Sequence, residues 1–209
     1  MWRMDLEHAI RTLEPGLALC RASGNRAWLQ PLAGNLGSAY ALQGRLAAGR
    51  ALLEETISES ISTGTRLGHA LWVRWLSEAY LLAGRLEDAH TRAAQAVDLA
   101  RQYQQRGNQA WALWLLGEST ARQASPAVEP AVGHYRQALA LAEELGMRPL
   151  QAHCHRGLGT LYAATGQLEQ ARDALDAAIA LYRAMDMTLW LPQAEATLAQ
   201  IGGRSQRQA

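Results

Sequence analysis

The sequence predicts an all-α protein in which about ten antiparallel helices stack as a helical-repeat solenoid. A short motif recurs four times at a spacing near 40 residues, and turn glycines separate paired helical segments within three of the copies. No segment shows the period-two alternation of apolar and polar residues that is typical of a β-strand. Alanine, leucine, glutamate, glutamine and arginine favour helix throughout the chain.

The repeated motif begins at a leucine. Its four copies start at Leu36, Leu76, Leu116 and Leu158, which gives spacings of 40, 40 and 42 residues. In three copies a tyrosine follows four positions later, and a glycine follows four positions after that tyrosine. Glycine at such a place ends a helix. Each copy therefore predicts a helix, a turn and a second helix, which we call the A helix and the B helix of a repeat.

The repeat spacing also predicts how the chain is divided. We expect one repeat domain over residues 1–201, followed by a flexible tail over residues 202–209. The parts of the domain are a half repeat at 3–22, repeats at about 25–63, 65–105, 107–146 and 148–185, and a capping helix at 188–201. The third repeat has a loop two residues longer, from Ala124 to Pro130, which its two prolines are expected to stiffen.

The runs Leu36-Gly37-Ser38-Ala39-Tyr40 and Leu158-Gly159-Thr160-Leu161-Tyr162 carry a family resemblance. The pattern resembles the tetratricopeptide repeat, whose signature contains Leu-Gly-x2-Tyr. This resemblance implies a right-handed superhelical solenoid. The signature tryptophan and the closing proline are absent from all four repeats, and without that proline the B helix is expected to run further.

Two runs in the last third, His134 to His155 and Leu181 to Glu195, resemble the C-terminal repeats of bacterial adenylate/guanylate cyclase–AAA ATPase signalling proteins. That resemblance implies an interaction or sensing tail of a bacterial signal transduction protein. It carries over no catalytic residue, because the cyclase and ATPase modules precede the repeats in that family.

The charged residues exclude several classes of function. All 20 basic residues are arginine, so the chain has no lysine for a P-loop or a Schiff base. The net charge of +1 gives no basic field for nucleic acid.

Two histidines flank Cys154, but residues two apart on a helix diverge by about 200° and cannot share one metal ion. No motif brings a nucleophile and a base together. We therefore expect no catalytic residue, no metal site, no cofactor and no enzyme activity.

The opening residues are charged and lack the apolar core of a signal peptide. No stretch approaches the 18 apolar residues of a membrane span. These features predict a cytoplasmic protein without membrane contact, in which Cys20 and Cys154 remain thiols.

The A helices are expected to line the concave face of the solenoid. The motif leucine, the small residue after it and the tyrosine should pack on the B helix of the same repeat, and the residues two before and two after the leucine should point inward. The residue five positions before each leucine lies on the same face of the A helix. Together these positions predict a partner-binding groove made by Ser38, Arg74, Glu78, Trp111, Trp114, Glu118, His153, Arg156 and Thr160.

Tryptophan and arginine beside carboxylates suit capture of a helix or an extended peptide, which predicts a protein–protein interaction scaffold or regulatory module. One alternative is a small-molecule sensor with its ligand around Trp111, Trp114 and His153. Another is a structural oligomerisation element. Trp72 and Trp75 lie one position out of register, and we expect them in packing between repeats.

The N-terminal half repeat lacks its A helix. Either the chain is a piece of a longer protein, or its apolar face is covered by a second copy. The sequence therefore predicts a self-association face, and hence a homodimer, made by Trp2, Ile10, Leu13 and Leu17.

Overall fold

The computed structural model describes residues 6–123 and 127–208, with side chains as far as Gly202. Over these residues the chain forms ten α-helices and no β-strand, which confirms the predicted all-α fold class. The helices are α1 Leu6–Ser23, α2 Arg26–Leu42, α3 Leu46–Ser62, α4 His69–Leu82, α5 Leu86–Gln102, α6 Arg106–Ala121, α7 Val128–Glu144, α8 Arg148–Ala164, α9 Leu168–Ala184 and α10 Leu191–Gln208.

The helices follow the repeat. The A helices are α2, α4, α6 and α8, and the B helices are α3, α5, α7 and α9. Consecutive helices pack on each other from α1 to α5 and from α7 to α10, as α2 does on α3 and α8 does on α9. Helix α10 continues from the capping segment through Gly202 to Gln208, where the sequence predicted a tail. Part of the predicted third-repeat loop, residues 124–126, lies outside the described residues.

The chain divides into two compact units within α6, between Leu115 and Leu116. We call residues 6–115 the N-terminal unit and the described residues from 116 onward the C-terminal unit.

The turns that follow α1 and the B helices share one backbone conformation. Each of these turns contains one residue in the left-handed region, with φ between 54° and 67°. These residues are Gly24, Gly64, Gln104, Gly146 and Asp186. Glycine adopts this conformation without steric cost, whereas glutamine and aspartate do not. The turns after α5 and α9 therefore adopt this conformation without a glycine.

The small residue after the motif leucine lets the A and B helices of a repeat approach closely. A Cβ atom on Gly37 would lie 2.9 Å from Cγ of Leu53, and one on Gly159 would lie 2.6 Å from Cγ of Leu175. In the second repeat this place is taken by Ser77, whose hydroxyl donates to the carbonyl oxygen of Ala89 at 2.7 Å. The contact lies within the repeat, where the sequence placed it.

The hydroxyls of the motif tyrosines make a contact that the sequence did not predict. The hydroxyl of Tyr80 donates to Glu54 at 2.7 Å, and that of Tyr162 accepts from Arg136 at 3.2 Å. The hydroxyl of Tyr40 likewise donates a hydrogen bond to Glu14, at 2.6 Å. Each partner lies in the helix before the A helix, so these hydroxyls link a repeat to the one preceding it.

The predicted self-association face is covered within the chain. Ile10 and Leu17 are buried and Leu13 is partly buried, and all three pack in one cluster with Ala33 and Leu36 of α2. Helix α2 thus provides the cover that the sequence analysis assigned to a second copy. Three of the four residues are therefore unavailable for self-association, and Trp2 lies outside the described residues.

Trp72 packs between repeats, as its place in the sequence suggested. Its side chain is buried, and a Cβ atom on Gly34 of α2 would lie 2.5 Å from its indole ring. A tryptophan of α4 thereby fills the space that a glycine of α2 leaves open. In the described part of the chain, no helix is both long enough and apolar enough to cross a membrane.

Candidate functional site

The predicted groove residues are distributed over both units. The N-terminal unit holds Ser38, Arg74, Glu78, Trp111 and Trp114, and the C-terminal unit holds Glu118, His153, Arg156 and Thr160.

In the N-terminal unit, Arg74 is enclosed by aromatic rings. Its guanidinium carbon lies 5.5 Å from the ring centre of Trp111 and 5.8 Å from that of Trp75, within the range of cation–π attraction. Its Nη1 lies 3.9 Å from Oε2 of Glu78. Arg74, Trp75, Glu78 and Trp111 are called the Arg74 cluster below.

Burial changes the protonation behaviour of the ion pair in this cluster. It lowers the pKa of Arg74 and raises the pKa of Glu78, while the attraction between the two charges opposes both shifts. The Nε atom of Arg74 is buried and has no hydrogen-bond partner among the described residues. The cluster therefore holds a cation whose hydrogen-bonding capacity is only partly used.

Two other predicted residues of this unit differ in exposure. Ser38 is half-buried. Trp114 is buried, and its ring stands edge-on to that of Trp111, with centroids 5.6 Å apart. Trp114 therefore belongs to the interior of the unit and packs against the ring of Trp111.

In the C-terminal unit, His153 also belongs to the interior. Its Nδ1 lies 2.8 Å from the hydroxyl of Tyr182, and the ring of Trp190 lies edge-on at 5.1 Å between centroids. Burial, with a smaller contribution from the positive charge of Arg156, lowers the pKa of His153 to about 3. The imidazole is thus neutral and enclosed, so the prediction that it contacts a partner is wrong.

The other three predicted residues of the C-terminal unit meet at one cavity. Glu118, Arg156 and Thr160 line a space of about 340 Å³ together with Arg122 and Tyr135. Its remaining walls are mostly apolar or small residues of α6, α7 and α8. We call it the Arg156 cavity.

Tyr135 forms one wall of the Arg156 cavity because glycines of two A helices make room for its ring. Cβ atoms on Gly117 and Gly157 would lie 2.8 Å and 2.5 Å from ring atoms of Tyr135. Its hydroxyl donates to Oε1 of Glu118 at 2.9 Å. Burial and the charge of Glu118 hold the pKa of Tyr135 well above its usual value, so the hydroxyl remains a donor.

Glu118 is buried yet its charge is balanced. It forms an ion pair with Arg122 in addition to the hydrogen bond from Tyr135. A buried carboxylate requires such partners, because transferring its charge out of water costs free energy unless a hydrogen bond or an ion pair compensates for it. Glu118 and Arg122 together therefore contribute no net charge to the Arg156 cavity.

Arg156 has no such balancing charge. Its Nη1 donates to Oε1 of Gln193 at 2.8 Å, which is a neutral acceptor. Its Nε is buried without a hydrogen-bond partner among the described residues. Within the described part of the chain, no carboxylate forms an ion pair with Arg156. The cavity therefore carries an uncompensated positive charge.

Sequence reasoning missed Arg122, Tyr135 and Gln193. One signal for Tyr135 was visible, because other repeats carry Leu53, Ala93 or Leu175 at its place in the B helix. A hydroxyl at a core position indicates a buried polar partner. Arg122 also had a signal, since it follows Glu118 at the i,i+4 spacing of a helical ion pair. Gln193 lies beyond the motif and had no comparable signal. Among the described residues, no group of three or more histidine, cysteine, aspartate or glutamate side chains could hold a metal ion.

Comparison with known sequences places a tetratricopeptide repeat in the chain. The sequence model of the tetratricopeptide repeat family matches residues 129–184, which span most of α7 and all of α8 and α9. No curated protein sequence matches the chain.

Solved structures share the fold at low sequence identity. BtubC (BKLC) from P. vanneervenii has a TM-score of 0.73 at 16% identity, covering 95% of this chain and 83% of its own. A variant of the TPR-like repeats of a putative kinesin light chain from Podosopora anserina gives 0.64 at 19%, covering 87% of this chain and 89% of its own. The apo form of RapI gives 0.68 at 14%, covering 97% of this chain but 58% of its own. These likenesses establish a tetratricopeptide-like helical-repeat fold.

Proposed function

We propose that this chain is a non-enzymatic interaction module that binds a segment of a peptide or protein at the Arg156 cavity. The observation that carries the proposal is the convergence of Glu118, Arg156 and Thr160 on one cavity, since the sequence predicted all three as partner-binding residues. A tetratricopeptide-like fold is consistent with this role, because such repeats present extended binding surfaces.

The chemistry of the cavity supports binding more than catalysis. Tyr135 and Glu118 are engaged with each other, and the pKa of Tyr135 is raised rather than lowered, which disfavours its acting as a base. Burial raises the pKa of the Cys154 thiol, so the reactive thiolate is disfavoured as well. The Arg74 cluster is proposed separately as a contact surface of the N-terminal unit, because arginine and tryptophan contribute strongly to protein interfaces. A regulatory role in bacterial signalling and a cytoplasmic location stay predictions of the sequence.

A photo-crosslinking experiment tests this function at a defined position. The photoreactive amino acid p-benzoylphenylalanine replaces Thr160, which is exposed at the cavity, and in a matched control it replaces Gln170, which is exposed on α9. We expect a protein of the source cell to crosslink at residue 160 and not at residue 170. An excess of the unmodified chain should compete the product away.

The crosslinked protein is then identified by mass spectrometry, purified and measured for affinity. We expect Arg156→Gln to weaken its binding and Arg148→Gln, which removes an exposed charge from the same helix, to leave it unchanged. Equal crosslinking at both positions, or none at residue 160, would contradict the proposal. Circular dichroism of each variant establishes that its helix content is retained.

A further inference from the structure

The Arg156 cavity contains an arginine whose Nε–H is buried without an acceptor in the described part of the chain, although the guanidinium donates through Nη1 to Gln193. Buried N–H groups in proteins nearly always have a hydrogen-bond partner, since leaving one without a partner is unfavourable. The Nε of Arg156 is buried without a partner among the described residues, and the guanidinium forms no ion pair with any of them. The guanidinium therefore has hydrogen-bonding capacity that the described residues leave unused.

The rest of the cavity favours an anionic acceptor. Arg122 and Glu118 neutralise each other, and Tyr135 adds a hydrogen bond to the same carboxylate. One positive charge, that of Arg156, is therefore left over. Because partly buried charges are screened less by salt than exposed ones, this charge attracts an anion more strongly than a surface arginine does.

A carboxylate is the anionic group that best fits this arrangement. A guanidinium presents its N–H groups as a planar fork that matches the two oxygens of a carboxylate. Gln193 already holds Nη1, at 2.8 Å, and so restrains the guanidinium before a ligand arrives. Restraint of this kind lowers the entropy lost on binding.

A second depression indicates how the ligand extends. It has a volume of about 220 Å³ and lies between α8 and α10, where Thr197, Gln200 and Ile201 line it. It shares Thr160 and Ala164 with the Arg156 cavity. These short side chains, one helical turn apart, let a bound chain pass over α8 from one depression to the other.

We infer that the Arg156 cavity binds the side-chain carboxylate of an aspartate or glutamate in a segment that crosses α8. The inference rests on the proposed function, because that function supplies the peptide or protein segment that carries the carboxylate. A free organic acid offers the same carboxylate chemistry but would leave the second depression empty. The chemistry of the Arg156 site and the identity of the partner protein are therefore tested separately.

The test observes the Nε–H group of Arg156 by nuclear magnetic resonance. The full chain is labelled with ¹⁵N-arginine, and the Arg156→Gln spectrum assigns the resonance by its disappearance. The probes are two capped peptides, acetyl-Ala-Ala-Glu-Ala-Ala-amide and the same peptide with glutamine in place of glutamate. We expect the glutamate peptide to shift the resonance and to bind at least about tenfold more tightly, because a charged hydrogen-bond pair contributes roughly 1.5–3 kcal/mol.

Two further variants keep the test decisive. Arg148→Gln, the matched loss of charge on α8, should leave the titration unchanged. Ala164→Met keeps every charge and enlarges the shared wall, so it should weaken binding of the glutamate peptide. Ala164→Met also tests the site if Arg156→Gln impairs folding, because alanine and methionine are both good helix formers.

Three outcomes would overturn the inference. The first is an equal shift with the glutamate and glutamine peptides, or no shift with either. The second is binding of succinate as tight as that of the glutamate peptide, which would identify a free acid as the ligand. The third is binding only of a peptide with an uncapped C-terminal carboxylate. A partner that crosslinks at residue 160 while the resonance of Arg156 stays unmoved would leave the proposed function intact and overturn the carboxylate site alone.

Discussion

The hydroxyl oxygen of Tyr182 lies 2.8 Å from Nδ1 of His153, and the ring of Trp190 lies edge-on to the imidazole. The contact joins the A helix and the B helix of the fourth repeat and encloses an ionisable group within the core. Burial, and secondarily the positive charge of Arg156, lower the pKa of His153 to about 3. At neutral pH the histidine is thus an uncharged hydrogen-bonding residue of the core.

This pKa predicts a loss of stability in mild acid. In the unfolded chain the pKa of a histidine is about 6.5, so below that pH the unfolded state binds a proton that the folded state does not. The contribution of His153 is complete above pH 6.5 and declines as the pH falls towards 3. We expect a loss of about 2 kcal/mol between pH 6.5 and 5, from about 1.36 kcal/mol per pH unit.

Urea denaturation at a series of pH values measures this effect. His153→Gln keeps a hydrogen-bonding group near Tyr182 but cannot titrate, so its unfolding free energy should depend less on pH over the same range. Parallel pH profiles for the native chain and the variant would show that His153 does not cause the loss.

Gly157 is predicted to tolerate no side chain. A Cβ atom there would lie 2.5 Å from Cε1 of Tyr135, which its own hydrogen bond to Glu118 holds in place. We expect Gly157→Ala to lower the unfolding free energy by about 1–3 kcal/mol through overpacking. Gly133→Ala is the matched control, because nothing lies within 4 Å of its Cβ position in α7. It should stabilise the chain by about 0.5–1 kcal/mol. Chemical denaturation measures both, and equal effects would contradict the contact.

Gln104 is predicted to be a site of removable backbone strain. Its φ of 54° falls in the left-handed region, which costs a residue other than glycine about 1–2 kcal/mol. We expect Gln104→Gly to raise the unfolding free energy by about 1 kcal/mol. Gly64 occupies the matching turn 40 residues earlier, with φ of 66°, so Gly64→Gln should lower the unfolding free energy by a similar amount. Changes of the same sign in the two variants would exclude this explanation.

Leu17 is predicted to stabilise the fold rather than an oligomer. It is buried against α2, and Leu17→Ala should cost about 2–5 kcal/mol. Leu19→Ala on the same helix is the control, because Leu19 is 69% exposed, and it should change stability by less than about 0.5 kcal/mol. Light scattering should give the same mass for both variants and the native chain. A mass change in Leu17→Ala without loss of stability would restore the self-association face.

The sequence alone predicts the fold class and the repeat because both depend on local patterns. Leucine spacing, turn glycines and small residues after the motif leucine are readable along one chain, and helices form where they indicate. The left-handed conformations of Gln104 and Asp186 were not predicted from the sequence, since those residues do not favour that region as glycine does. Their conformation follows from the packing of the helices on either side.

The candidate site could be predicted only in part. Helical periodicity identifies which residues share a face, and Glu118, Arg156 and Thr160, which it assigned to one groove, line one cavity. It cannot say which members of a face are covered by a neighbouring helix. His153 is covered by Tyr182 and Trp190, and Leu17 by α2, through contacts between residues far apart in sequence.

The sequence by itself determined the helices, their period and the positions that could meet. The spacing of four between Glu118 and Arg122 is a local signal for their ion pair. Tertiary structure decided the partners of Arg156 and Tyr135, because these contacts join residues of different helices. Glu118 is balanced by Arg122 and Tyr135, whereas Arg156 donates to the neutral Gln193 and forms an ion pair with no carboxylate of the described residues. The contacts of Arg156, which no local pattern encodes, leave the Arg156 cavity with its positive charge.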